Sequence, residues 1–194
     1  MGLEYEKKYR ADRETLDLID NALTEPSYRL EMETTYYDTP DGVLSAKKIT
    51  LRRRFENGVS ICTLKIPTET AARGEFQVEK ANITKAIPEL CKLSGFNTLI
   101  DLTANGIIPV CGAKFARTAR EISFGNSTLE VAIDRGVLIG GSKQLPLYEL
   151  EVELLSGEPG DADLYGKLLA AKFSLSEEKL SKFRRALALA KGEI

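Results

Sequence analysis

Tyr148–Leu155 reads YELEVELL, and near the start of the chain Leu3–Lys8 reads LEYEKK. In the first stretch Glu149, Glu151 and Glu153 alternate with Leu150, Val152 and Leu154. In the second, Glu4, Glu6 and Lys8 alternate with Leu3, Tyr5 and Lys7. Period-two alternation is the pattern of a β-strand, so each charged set lies along one face. On an ordinary half-buried strand that face meets water. Three like charges in a row repel one another, however, and call for something to neutralise them. Whether these faces point out or in decides the fold.

The remaining strands pose the same question with the opposite sign. KITLRRRFENGVSICTLKIP (Lys48–Pro67) reads as a hairpin turning at Glu56-Asn57-Gly58. Arg52 and Arg54 share a face of its first arm; Thr63 and Lys65 share a face of the second. ARGEFQVEKANI (72–83) is a further strand with Arg73, Glu75, Gln77 and Glu79 on one side. KFARTAREISF and NSTLEVAIDRGVLIG form another hairpin around Gly125-Asn126, with Arg117 in phase with the charged set. Arg53 and Arg120 fall out of phase and are expected to be solvated or paired outside. Helices are expected from Asp12 to about Leu23, from Thr84 to Ser94 despite Pro88, from Asp161 to Phe173, and from a Ser174 or Ser176 cap to about Lys191. Met32–Tyr37 reads as a strand closed by a Thr-Pro-Asp-Gly turn. The whole, residues 1–194, is expected to be a single domain.

About eight hairpin-joined strands with helices after the first, in the middle and at the end give an α+β fold with a mostly antiparallel sheet. An eight-stranded sheet can close into a barrel wide enough for side chains or one small ligand. The acids Glu4, Glu6, Glu149, Glu151 and Glu153 are matched by Lys8, Arg52, Arg54, Lys65, Arg73 and Arg117, all at strand-alternating positions. These sets favour a charged lumen with apolar outer faces covered by helices. A dry lumen holding so many ions would cost several kcal/mol per ion, roughly, even after relaxation. Water, metal and a charged ligand make it tolerable.

The composition narrows the chemistry. The chain of 194 residues is 43% hydrophobic and 29% charged, with a formal net charge of −2. That fits a soluble globular protein and gives no global attraction to nucleic acid or anionic membranes. The apolar runs are too short for a bilayer span, and a cytoplasmic location is expected. The absence of His excludes Ser-His-Asp and Cys-His nucleophile systems and HExxH metal sites. Gly140-Gly141-Ser142-Lys143 has the wrong spacing for a P-loop. Cys62, Cys91 and Cys111 sit among apolar neighbours and read as core residues. Carboxylates without His or Cys suit Mg²⁺ or Mn²⁺, and clustered Arg and Lys suit phosphate oxygens. A site with both halves calls for a metal-bound polyphosphate.

The string Glu4-Tyr-Glu6-Lys-Lys8 resembles the Glu-x-Glu-x-Lys signature of the CYTH superfamily, the triphosphate tunnel metalloenzymes. YYDTPDGVL, LRRR, TLK, RGEF, LEVAIDRG, ELEVELLSG and LSKFRRAL are similar to that family in the same order along the chain. The resemblance implies an eight-stranded antiparallel tunnel with helices packed on its outside, binding a triphosphate with Mg²⁺ or Mn²⁺. It implies metal ligands at Glu4, Glu6, Glu151 and Glu153, with Glu149 helping. Lys8, Arg52, Arg54, Lys65 and Arg117 match the phosphate-holding bases, and Arg73 adds to them. Lys8, Glu4 and Glu6 fall at the catalytic centre, and Lys182 reaches the tunnel from a helix. Glu75, Glu130 and Asp134 match acidic family positions without an assigned role. Against these stand plainer readings: Lys182 as a solvated helix residue, Arg73 with Glu75 as an internal ion pair, and Tyr36 and Tyr37 as packing residues.

The activity implied is hydrolysis of inorganic triphosphate by a monomer or homodimer, with bacterial inorganic triphosphatases the nearest likeness. A class IV-type adenylate cyclase and a thiamine triphosphatase are the alternatives within the family. A non-catalytic polyphosphate- or nucleotide-binding module is the alternative outside enzymes.

Overall fold

The structure is a computed structural model that describes residues 2–69 and 73–194, with side chains from Tyr5 onward in the first segment. The chain runs β1 (Gly2–Glu4), β2 (Glu6–Arg10), α1 (Arg13–Ala22), β3 (Ser27–Asp38), α2 (Val43–Ala46), β4 (Thr50–Glu56), β5 (Val59–Pro67) and β6 (Arg73–Glu79). It continues through α3 (Ile83–Ser94), α4 (Thr98–Leu102), β7 (Ile108–Phe124), β8 (Ser127–Gly140), β9 (Lys143–Ser156), α5 (Pro159–Phe173), β10 (Ser176–Glu177) and α6 (Lys182–Lys191).

Local chemistry explains most of these boundaries. Asp12 caps α1, its carboxylate accepting from the Thr15 N–H at 2.7 Å. Buried Asp38 accepts from the N–H groups of Thr39, Leu44 and Ser45, which folds the Thr-Pro-Asp-Gly turn into the short α2. The β4–β5 hairpin turns on Asn57 and Gly58, both at positive φ, as a primed turn requires.

The strands form one antiparallel sheet in the order β1-β6-β5-β4-β3-β7-β8-β9-β2-β10. β1 and β2 are one N-terminal strand broken at Tyr5. Its first part pairs with β6 and its second with β9, at opposite flanks of the sheet. The chain itself therefore joins the two flanks, and the sheet is not closed by hydrogen bonds. Taking β1 with β2 as one strand and leaving aside the two-residue β10 gives the eight principal strands expected.

Three apolar clusters set the layers. α3 covers the outer faces of β4–β6 through residues such as Leu51, Leu64, Ile87 and Leu90. α1 and α5 cover β2, β8 and β9 through Leu16, Ile19, Val131, Ile133, Leu150, Val152 and Leu169. The third cluster joins Phe183 and Ala186 of α6 to Met32, Tyr36, Phe115, Leu138 and Leu147. Phe115 alternates in phase with Arg117, and Leu147 with Glu149. α6 thus packs on the lumen-facing side, the helix from which Lys182 reaches the tunnel, while α1, α3 and α5 cover the outside.

The start of α6 departs from expectation. Ser174 ends α5 at φ 54, and Ser176–Glu177 pair with Arg10 and Tyr9 instead of starting a helix. Ser181 is the cap, accepting from the Arg184 N–H at 3.2 Å. Neither expected serine caps the helix, because the segment between them and Lys182 pairs with β2 and the helix begins only after it. Lys182 consequently stands at the first helical position.

Close approach of α6 to β8 depends on Gly140, where a Cβ would lie 2.4 Å from the Ala190 nitrogen. Gly140→Ala should lower unfolding stability by about 1–3 kcal/mol through overpacking. Urea denaturation measures it; an unchanged midpoint would contradict this packing of α6.

Candidate functional site

The alternating charges converge on one cavity of about 1130 Å³. Its described lining includes Glu6, Lys8, Arg52, Arg54, Lys65, Arg73, Glu75, Arg117, Glu151, Glu153 and Lys182. The Glu4 side chain lies outside the described residues. Lys48, Lys179 and Arg184, which sequence reasoning missed, line it as well. Ten basic side chains face four acidic ones among the described lining residues. In a chain of net charge −2, that local excess favours a polyanion.

Register explains the convergence. Glu6 faces Glu153 and Lys8 faces Glu151 across the β2–β9 ladder. Glu151 lies opposite Ala132, and Glu149 opposite Asp134, on the β8 side. Arg117 faces Asp134 across β7–β8. On the other flank Arg52 faces Thr63 while Lys65 faces Glu75.

One half of the cavity wall is built around Glu75. Lys65 reaches its carboxylate at 2.9 Å and Arg52 at 3.3 Å. Burial works to raise the Glu75 pKa, but Lys65, Arg52 and a Gln77 hydrogen bond lower it to about 2. Arg54 donates to Thr34 and pairs with Glu56 at 3.1 Å. Burial, with Arg52 and Arg117 nearby, lowers its pKa, so an added anion would be favoured there. Arg73 donates to the Lys48 carbonyl at 2.6 Å.

The other half holds a buried ionic cluster. The Lys182 ammonium lies 2.8 Å from Asp134 and 2.6 Å from Glu151, and also donates to Glu149. Arg117 holds Asp134 through two 2.8 Å hydrogen bonds, donates to Glu151, and lies 3.5 Å from Glu130. Burial opposes charge on Lys182, yet Asp134, Glu151 and Glu149 raise its pKa. Burial likewise works against the Glu151 carboxylate, but Lys182 and Arg117 hold it well below its ordinary range. Burial raises Glu149 to about 7 against the pull of Lys182 and Arg185.

Glu149, Glu130 and Asp134 stand behind the cavity wall rather than in it. Glu149 is enclosed by Lys182 and Arg185, and Glu130 accepts from the Tyr28 hydroxyl. Carboxylate oxygens of Asp134, Glu149 and Glu151 come within 4.8 Å of one another, a spacing a metal ion could use. The Lys182 ammonium already bonds all three, so this trio suits an ammonium. Glu6 and Glu153 are a different pair: two carboxylates directly opposite, which repel unless a cation joins them. Lys8 donates to Glu6 at 2.8 Å. An all-oxygen set of Glu6 and Glu153 with the adjoining Glu151 fits a hard divalent ion.

Arg120 pairs with Asp20 of α1 at 2.6 Å and Arg53 donates to the Ala81 carbonyl, so both out-of-phase arginines are engaged elsewhere. Tyr36 is buried against Phe183, ring centroids 5.1 Å apart. All three cysteines are buried and free, with the Cys111 thiol raised by burial to about 12.

The CYTH domain model matches residues 2–187. The chain belongs to the CYTH domain family. An inorganic triphosphatase from Haemophilus influenzae is 30% identical over 164 residues, 82% of this chain and 46% of that protein. The chain thus spans about half the length of that relative. Among solved structures, a candidate adenylate cyclase from Bacillus halodurans matches with a TM-score of 0.65 at 17% identity, covering 94% of this chain and 96% of its own. A candidate adenylyl cyclase from Hippeastrum, described as having a dominant triphosphatase activity, gives 0.63 at 16%, covering 100% and 96%. A protein from Pyrococcus horikoshii gives 0.62 at 22%, covering 97% and 99%. These likenesses establish the tunnel fold.

Because the folded Glu75 pKa lies below its unfolded value, its ion pairs stabilise the protein above about pH 4.5. That contribution fades as pH falls toward about 2. The stability gap between wild type and Glu75→Gln should therefore shrink across this window, read by urea midpoints. A gap independent of pH would contradict the pairing.

Proposed function

We propose that the chain hydrolyses inorganic triphosphate to pyrophosphate and phosphate inside the tunnel. The observation that carries this is a cavity with ten basic and four acidic described side chains whose aromatic members, Tyr36, Phe76 and Phe183, are all under a tenth exposed. Cations line the space in abundance, and no described lining ring stands open to stack a base or a thiazolium. The family match and the Haemophilus relative support the same reading.

In this reading Arg52, Arg54, Lys65 and Arg73 hold phosphate oxygens from one wall, with Lys8, Arg117 and Lys182 holding them from the other. Their fixed charges stabilise the negative charge that builds on equatorial and leaving oxygens during in-line displacement. Glu6, Glu153 and the adjoining Glu151, together with Glu4, are the residues that would hold Mg²⁺ or Mn²⁺. When bound, such an ion polarises phosphate oxygens and lowers the pKa of water. With no His in the chain, a lumen carboxylate accepts the proton of the attacking water. Asp134 and Glu149 keep Lys182 in place behind this arrangement.

A phosphate-release panel tests the substrate. Inorganic triphosphate should be cleaved faster than ATP or thiamine triphosphate, with either Mg²⁺ or Mn²⁺; formation of cyclic AMP from ATP would instead identify a cyclase. Tight triphosphate binding without any release would leave only a binding module.

The residue roles separate kinetically. Glu6→Gln and Glu153→Gln should each lower turnover by at least the roughly 100-fold that losing a supporting metal contact can cost. Arg52→Ala should raise KM more than it lowers kcat. Full turnover in either glutamate variant would remove that residue from the metal set, and an Arg52 variant altered only in thermal stability would make that arginine structural.

A further inference from the structure

Between the end of α5 and the start of α6 the chain crosses β2 and delivers Lys182 to the cavity wall. In the stretch 174–181 the one buried side chain is Glu178, whose carboxylate is 1% exposed. Its neighbours Glu177, Lys179 and Leu180 are exposed. Leu175 packs against the α1–α5 apolar cluster, but from Ser176 to Ser181 no apolar side chain is buried, so the course of the chain to Lys182 depends on how a carboxylate is held.

Glu178 is held on four sides. Its N–H donates to the Lys8 carbonyl at 2.7 Å, fixing the backbone beside β2. Its Oε1 accepts from the Leu180 N–H at 2.7 Å, tightening the turn into α6. Its Oε2 accepts from Arg10 at 2.5 Å and faces Arg185 at 3.5 Å. Arg185 is the next link: its other terminal nitrogen donates to Glu149, which accepts from Lys182. The charges therefore alternate without a gap from the rim to the cavity, through Arg10, Glu178, Arg185, Glu149 and Lys182. Arg185 lies three residues after Lys182 on α6, so one guanidinium fixes both the rotation of the helix and the carboxylate that grips the lysine.

We infer that Glu178 and Arg185 are positioning residues that act through Lys182, setting where its ammonium meets a phosphate chain in the tunnel. Neither touches the cavity space itself. The inference rests on the proposed reading of the lumen as a phosphate site. It goes beyond that reading by giving the Glu178–Arg185 pair a part in affinity that a purely structural ion pair would not have.

The test is a double-mutant cycle on the full chain, read by calorimetric binding of a non-hydrolysable imido analogue of triphosphate with Mg²⁺. Lys182→Ala should raise Kd by about 10-fold or more, the usual worth of one charge-assisted hydrogen bond. Glu178→Gln should raise Kd in the same direction, and the double variant should match Lys182→Ala alone within about twofold. Arg185→Lys keeps a cation but cannot span Glu149 and Glu178, and should show the same non-additivity; it serves if Glu178→Gln does not fold. Asp20→Asn, which breaks the Arg120 pair on the outer face, should lower stability with Kd unchanged. Failure of the wild type to bind the analogue would overturn the phosphate reading, and with it this inference. Wild-type binding with multiplicative effects of Glu178→Gln and Lys182→Ala, or with unaltered Kd in folded Glu178→Gln, would overturn the positioning role alone.

Discussion

The structure depends on a balance of buried charge inside its own barrel. The Lys182 ammonium, joined to Asp134, Glu149 and Glu151, and the Arg117 fork, joined to Asp134 and Glu151, neutralise carboxylates that the adjacent strands β8 and β9 would otherwise press together. An uncompensated carboxylate in such a place costs several kcal/mol, roughly, so no strand could turn this face inward without the cations of its neighbours. The apolar faces are then free to point outward, where α1, α3 and α5 cover them. The same constraint fixes α6, which must bring Lys182 to the acids and bury Phe183 and Ala186 beside them.

This balance is asymmetric, and the asymmetry links fold to function. Around Lys182 the acids are matched within the wall. Across the rest of the cavity the bases outnumber the acids, and Arg54 has its charge disfavoured by burial and by the nearby Arg52 and Arg117. A polyanion relieves that repulsion. On the proposed reading, a hard cation would join Glu6 and Glu153, which face each other across the β2–β9 ladder beside Lys8. Metal and phosphate chain would then each meet one part of the same lumen.

Much of this was legible in the sequence because strand periodicity is a strong signal and charge is easy to see. Glu151 with Glu153, Arg52 with Arg54, and Lys65 all lie on the predicted face, and the Asn57-Gly58 turn sits where its φ requirements put it. Arg53 and Arg120 fell out of phase and are engaged away from the cavity. What was not legible depended on tertiary contacts. The sequence pointed to Ser174 or Ser176 as the cap of α6, and the pairing of Ser176–Glu177 with β2 moves the cap to Ser181. Glu178 and Arg185 look like ordinary solvated charges in a helical string, because nothing local shows that they meet over a strand thirty residues or more away. Lys48 and Lys179 carry no alternation and join the cavity through loops. Glu149 has the same alternation as Glu151, yet it sits behind the wall, since only the placement of α6 separates the two.

The central claim is that the lumen is the phosphate site. A crystal structure with the imido analogue of triphosphate and Mg²⁺ tests it most directly. The account predicts a phosphate chain inside the barrel, its oxygens met by Arg52 and Lys65 on one wall and by Lys8 and Arg117 on the other. A chain bound on an outer face, with those four side chains unmoved and the lumen holding only water, would contradict it.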